Sequence, residues 1–356
     1  MTTDTHTPAI LHGGDSVVFR RLFGADPVLD LSTGVNPAAW PLPSLPDAVW
    51  QLLPDRERVE DLRRAAAAWL EAPSPALLAL APGSQALIQL LPRLRPPGRV
   101  AVLGPTYAEH ARCWGLAGHR VEAVFSLEAA LASGAPVIVT VRPNNPDGGV
   151  LPRRALLDAA AIQAGRGGML VVDEAFADAL PGCSLAPWAG RPGLVILRSF
   201  GKFFGLAGLR LGFLLAPAET AAAVSAALGP WAVAGPALEI GIAALADTGW
   251  AAATRARLAR DAARLDGLLA AAGLAVTGGT PLFRLVESPG SPRLFRHLGQ
   301  RGIAVRRFPE HPRRLRFGLP GIASDWELLA AALAAFPAPG QAARRARSCD
   351  PDAKHG

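Results

Sequence analysis

The chain has 356 residues, half of them hydrophobic and 18% charged, with a formal net charge of +7 and a pI near 10.4. This length holds one large or two moderate domains, and the apolar content excludes wholesale disorder. Three scattered cysteines, Cys113, Cys183 and Cys349, exclude a disulfide framework and a cysteine-based zinc site, and no metal is expected.

The opening, "MTTDTHTPAILHGGD", lacks the basic and apolar regions of a secretion signal. No stretch offers eighteen uninterrupted apolar residues, since the best candidate, Trp231 to Ala253, contains Glu239 and Asp247. The expectation is a soluble, cytoplasmic protein with no membrane partner. The arginines are spread along the chain without basic runs interleaved with aromatics, so the charge points to anionic small molecules rather than nucleic acid.

In chain order, residues 1–45 read as an N-terminal arm and part of a small domain, with little core of their own. Residues 46–255 then alternate short apolar runs with Ala- and Leu-rich helical segments, the pattern of an α/β domain around a mainly parallel sheet. The predicted strands are "LLAL" at Leu77, "VAVL" at Val100, "VIVTV" at Val137, "MLVVD" at Met169, "LVILRS" at Leu194 and "LGFLLA" at Leu211. All are apolar throughout, as strands covered on both faces should be. "SQALIQLLPRL" after Gly83 and "PRRALLDAAAIQ" from Pro152 read as helices. Residues 256–337 read as a smaller α+β domain: a long helix from about Asp261, strands "LFRLVE", "IAVRRF" and "RLRFGL", and a last helix "SDWELLAAALAAF" with Ser324 and Glu327 at capping-box spacing. Residues 338–356 have the composition of a disordered tail.

Only two of the 36 basic residues are lysine, Lys202 and Lys354. A bias toward arginine replaces lysine wherever charge alone is needed, but not where an amine must lose its proton to attack a carbonyl. Lys202 lies in "SFGKFFGLAGLR", with Ser199 three residues before it and Arg210 eight after. "APGSQALI" opens a helix after a strand, so Gly83, Ser84 and Gln85 offer backbone amides to an anion. "RPNNPDGG" puts Asn145 beyond the carboxyl end of a strand, either as a ligand residue or as part of an ordinary turn. "MLVVDEAFAD" ends a buried strand with Asp173 and Glu174, carboxylates that need partners there. An amine, a carboxylate, a donor and an anion cradle together suit a cofactor carrying an aldehyde and a phosphate on one ring.

From about Leu29 to Phe336 the sequence resembles the fold-type I pyridoxal-phosphate enzymes of the class I/II aminotransferase family, through the ordered set Asn145, Asp173, Lys202 and Arg210. The resemblance implies pyridoxal 5'-phosphate as cofactor, bonded covalently by Lys202. Asp173 would pair with the ring nitrogen and Asn145 with the phenolic oxygen, while Gly83, Ser84, Gln85, Ser199 and Arg210 hold the phosphate and Tyr107 of "GPTYAEH" stacks on the ring. Arg316 of "RLRFGL" would grip the substrate α-carboxylate. Two family tyrosines are absent, replaced by Phe176 and by Leu53 of "LPD".

"HGGD" from His12 and "LDLSTGVNP" from Leu29 are similar to the threonine-phosphate decarboxylase group of cobalamin biosynthesis. That resemblance implies substrate contacts from His12, Gly34, Asn145, Arg306 and Arg316, with His12 and Arg306 toward a substrate phosphate, and a homodimer. Decarboxylation and transamination stay open at this point, because the bond that breaks is the one held perpendicular to the ring and no motif encodes that angle. The alternatives are an aminotransferase acting on histidinol phosphate or a similar phosphorylated amine, and a non-catalytic binding protein that kept the fold.

Overall fold

The computed structural model describes residues 12–336. Expectations for the first eleven residues, for Cys349 and Lys354, and for a disordered tail fall outside the described residues. By contacts the chain divides into two units, one comprising Ala38–Leu258 and the other the chain up to Pro37 together with that from Ala259. The sequence reading put these boundaries at 45 and 255; the second lies inside the helix Thr248–Ala271.

The described residues form the strands β1 (Leu29–Leu31), β2 (Leu78–Ala81), β3 (Arg99–Leu103), β4 (Arg120–Val124), β5 (Val137–Val141), β6 (Met169–Asp173), β7 (Leu194–Ser199), β8 (Gly212–Leu215), β9 (Val276–Thr280), β10 (Phe283–Glu287), β11 (Ile303–Arg307) and β12 (Arg314–Gly318). In the larger unit the sheet order is β2-β8-β7-β6-β5-β3-β4, parallel except for β8, which runs antiparallel to both neighbours. Every residue of β5 and β6 is buried, which is why these segments read as unbroken apolar runs. Val139, Val171 and Leu197 form the centre of the core with Trp114 and Leu87 packed on them. Register places Asp173 opposite Val141 on one side and Leu197 on the other. The carboxyl ends of β5, β6 and β7 therefore deliver Asn145, Asp173 and Ser199 to one edge of the sheet.

The smaller unit holds a five-stranded sheet, β1-β11-β12-β10-β9, with β1 parallel to β11 and the other pairs antiparallel. The helix Ser16–Phe23 is capped by Asp15, whose carboxylate accepts the Val18 N–H at 3.0 Å, and it packs Phe23 against Phe295. The residues before Pro37 thus contribute a strand and a helix. β1, β4 and β9 escaped the sequence reading because β1 has three residues, β4 is an exposed edge with polar alternation, and β9 carries Gly278 and Gly279.

The last helix spans Ala323–Ala334, one residue earlier than expected, and its cap differs. Asp325 accepts the Gly321 and Ile322 N–H groups at 3.0 and 3.2 Å. Ser324 falls inside the first turn, so the expected Ser324–Glu327 box is replaced by a reach-back from Asp325.

Candidate active site

In the larger unit β2 leads through Gly83 into the helix Ser84–Leu90, whose first amides have no partners within the helix. Gly83 has φ 85°, and a Cβ on it would lie 2.7 Å from Nη2 of Arg210. The left-handed φ is what favours glycine there, and the missing side chain leaves the Arg210 guanidinium room beside the helix start. Arg210 is itself left-handed, at φ 54° and ψ 59°, a conformation that costs a non-glycine residue roughly 1–2 kcal/mol. Its Nη1 donates to the Ala207 carbonyl at 3.0 Å. Ser199 starts the short helix Phe200–Phe203 without a side-chain capping bond to it. Free amides, a serine hydroxyl and a guanidinium make an anion cradle.

The Gln85 side chain is committed elsewhere. Tyr107 donates its hydroxyl to Gln85 Oε1 at 3.1 Å, and Gln85 Nε2 donates to the buried Glu109 carboxylate at 3.3 Å. What Gln85 can offer an anion is its backbone N–H.

Lys202 is half-buried in a segment whose Phe200, Phe203 and Phe204 are buried. Phe200 stacks on Phe204 at 4.3 Å and Phe204 on Trp250 at 5.6 Å. The Lys202 ammonium lies 5.9 Å from the Phe176 ring, where the expected family tyrosine would have carried a hydroxyl. Leu53, at the other missing tyrosine, is exposed.

Asp173 is buried, and its two oxygens have separate partners: Oδ1 accepts the Ala175 N–H at 3.0 Å, and Oδ2 lies 2.9 Å from His110 Nε2. His110 is fully buried, and its Nδ1 has no partner among the described residues. Nε2 is the ring nitrogen that meets the Asp173 carboxylate, so its N–H is the donor of that bond. Sequence reasoning missed His110. The signal was available: a buried carboxylate demands a partner, and His110 lies three residues from Tyr107, so that the two rings meet edge to face at 6.0 Å.

Asn145 is half-buried in the turn after β5. Its neighbour Asn144, also missed, ties that turn to the loop carrying Tyr107. Asn144 accepts from the Thr106 hydroxyl at 2.7 Å and donates to the Pro105 carbonyl at 3.1 Å and to Asp147 at 2.9 Å. Glu174, the other buried carboxylate, pairs with Arg198 at 2.8 Å and accepts from the Ser184 hydroxyl and the Leu185 N–H. Burial works to lower the Arg198 pKa, but Asp178 and Glu174 outweigh it and raise it. This ion pair fastens the end of β6 to β7, beside Asp173 and Ser199.

A second cluster stands in the smaller unit. Arg306 and Arg316 face each other across β11 and β12. Arg316 is buried; its guanidinium lies 4.9 Å from the Phe283 ring, and Nη2 donates to the Ser32 carbonyl at 3.0 Å. Burial, and then the charge of Arg306, push its pKa down to about 9. Like charges opposed on adjacent strands are destabilising on their own and suit an anion held by both. Gly34 is buried in the same unit and His12 is exposed.

The larger unit fits pyridoxal phosphate on its own geometry. It offers a half-buried lysine, a buried carboxylate already receiving two hydrogen bonds, and a cradle that a Cβ at Gly83 would fill. The thiols Cys113 and Cys183 are buried, and burial with Glu109 pushes Cys113 up to about 11, so neither offers a nucleophile at neutral pH. Among the described residues no cluster could hold a metal ion, and no helix is long and apolar enough to cross a membrane.

Comparison with known proteins gives a concordant picture. The family model described as aminotransferase class I and II matches residues 43–333. A threonine-phosphate decarboxylase of Sinorhizobium sp is 46% identical over 329 residues, covering 91% of this chain and 98% of the relative. A protein of the same name from Pseudomonas aeruginosa is 45% identical, covering 87% and 92%. Among solved structures, the histidinol-phosphate aminotransferase of Sinorhizobium meliloti in complex with pyridoxal-5'-phosphate superposes with a TM-score of 0.77 at 25% identity, covering 93% of this chain and 97% of that one.

Proposed function

The chain belongs to the class I and II aminotransferase family, and from that premise we propose that it is a pyridoxal-phosphate-dependent lyase that decarboxylates L-threonine O-3-phosphate to (R)-1-amino-2-propanol phosphate, a step of cobalamin biosynthesis. The observation that carries this reading is likeness to threonine-phosphate decarboxylases at 45–46% identity over most of both chains. The aminotransferase that superposes well is far more distant, at 25%.

When bound, pyridoxal phosphate supplies an aldehyde for the substrate amine and a ring that takes up the electron pair released as carbon dioxide leaves. Lys202 carries the amine that would bond that aldehyde, and its ammonium form, or water, would return a proton to the α-carbon. Asp173 would pair with the ring nitrogen, and His110 holds the Asp173 carboxylate in place. Asn145 donates to the phenolic oxygen and faces the substrate, and Tyr107 stacks on the ring. Gly83, Ser84 and Gln85 backbone amides hold the phosphate together with the Ser199 hydroxyl and Arg210. Arg316 would take the substrate carboxylate and His12 and Arg306 the substrate phosphate, with Gly34 a further substrate contact. The enzyme works as a homodimer in the cytoplasm. An exposed apolar group supports the dimer: Trp50, Leu52 and Leu53, with Trp231 on the loop whose Gly235 packs on the Val49 carbonyl.

The test mixes the cofactor-loaded protein with L-threonine O-3-phosphate and follows carbon dioxide release alongside amino transfer to 2-oxoglutarate. Carbon dioxide with aminopropanol phosphate, abolished by Lys202→Ala, is the expected result. Transfer without carbon dioxide overturns decarboxylation in favour of an aminotransferase.

A further inference from the structure

Ser32 follows β1 and joins three parts of its unit. Its hydroxyl accepts the Gly14 N–H at 2.7 Å and donates to Asp30 Oδ1 at 2.5 Å, and the same Asp30 oxygen accepts the Ser32 N–H at 2.7 Å. Its carbonyl accepts from Nη2 of Arg316 at 3.0 Å. An ionised carboxylate only accepts, so the relay has one direction: Gly14 N–H to the Ser32 hydroxyl, and that hydroxyl to Asp30.

The two glycines after His12 let the turn close on this residue. A Cβ on Gly13 would lie 2.2 Å from the Ser32 carbonyl oxygen, which nothing larger than hydrogen can approach so closely. Gly14 has φ 80°, where a side chain is strained whatever the space. The "HGG" stretch therefore docks on Ser32 by necessity of shape, and the hydroxyl fixes the docked turn. One residue thus holds both the turn that carries His12 and the guanidinium of Arg316.

We infer that Ser32 is a positioning residue for substrate selection: by anchoring His12 and Arg316 to one point it sets the spacing at which an α-carboxylate and a phosphate are recognised together. The inference rests on the decarboxylase reading for the identity of that substrate. Losing the hydroxyl removes one donor and one acceptor and leaves the Gly14 N–H without its partner, while the backbone carbonyl that holds Arg316 remains.

The experiment compares wild type with Ser32→Ala and Asp30→Asn, the second keeping an oxygen acceptor. It measures kcat and KM for L-threonine O-3-phosphate and for L-threonine, and hydrogen exchange at Gly14. For Ser32→Ala the expected result is a KM for the phosphorylated substrate raised roughly tenfold, the equivalent of one lost hydrogen bond. The value of kcat should change far less, the constants for L-threonine should barely move, and Gly14 should exchange faster. Asp30→Asn should fall between the two. An unchanged KM despite faster Gly14 exchange overturns the inference, and so does an equal loss on both substrates with lowered Tm, which marks a purely structural latch. If the wild type releases no carbon dioxide, the proposed reaction has failed instead. Inorganic phosphate binding, followed at the His12 ring resonance, then judges the latch separately: weaker binding in Ser32→Ala supports it and equal binding overturns it.

Discussion

His110 Nε2 lies 2.9 Å from Asp173 Oδ2, and both side chains are buried. The His110 ring holds one oxygen of Asp173 and the Ala175 N–H the other, fixing the carboxylate in place at the end of the buried strand. His110→Phe should therefore lower kcat by about 10- to 100-fold, matching a hydrogen bond to a charged group of roughly 1.5–3 kcal/mol. Asp173→Asn should lower it further, because an amide cannot balance a protonated ring. Steady-state rates and cofactor retention on dialysis check both; a His110→Phe enzyme with wild-type kcat would remove His110 from the site.

Arg316 gives the pH prediction. Its pKa is pushed down to about 9 by burial and then by Arg306, well below the ordinary arginine value that an unfolded chain would show. Between those values the unfolded chain holds the extra proton, so stability attributable to this group rises with pH through that window and is lowest below about pH 9. A bound anion relieves the same penalty. L-Threonine O-3-phosphate should raise Tm at pH 7.5, and its affinity should fall as pH rises past about 9. Arg316→Met should abolish the shift with substrate. Differential scanning fluorimetry across pH checks all three; a substrate-induced shift that survives Arg316→Met would overturn the assignment.

How much of this was legible in the sequence follows from which forces act locally. β5, β6 and β7 announce themselves because both faces of each are buried and the code for that is an unbroken apolar run. β4 carries no such signal, since an edge strand facing water reads like a loop. Lys202 stood out because arginine had replaced nearly every other lysine, and Asp173 because a carboxylate ends a buried strand. Asn144 and Ser32 were invisible for the opposite reason, and His110 was legible only as some partner for a buried carboxylate: their partners lie 38, 18 and 63 residues away in sequence, and only the fold brings them together. Gln85 was read as an anion ligand from its place at a helix start, yet its side chain turned to Tyr107 and Glu109, which no helix-start rule predicts.

The exposed apolar group of the larger unit yields the last prediction. Trp50, Leu52 and Leu53 are 66–69% exposed, and Trp231 is 57% exposed at a left-handed backbone position. The short helix Ala48–Gln51 buries none of its own residues. Val49 of that helix is half-buried beside Gly235, while Trp50, Leu52 and Leu53 stay exposed, and the proposed dimer would cover them. Leu53 stands where the family resemblance would put a tyrosine reaching the partner's phosphate site, and leucine can make no such bond; in the proposed dimer this position would contribute packing instead. Leu52→Asp combined with Leu53→Asp should convert the protein from dimer to monomer by light scattering, and cofactor retention should fall with it if each site depends on both copies. A double variant that stays dimeric with full activity would show that a different face carries the association, because two buried, unpaired carboxylates per subunit would cost several kcal/mol in any interface built on this patch.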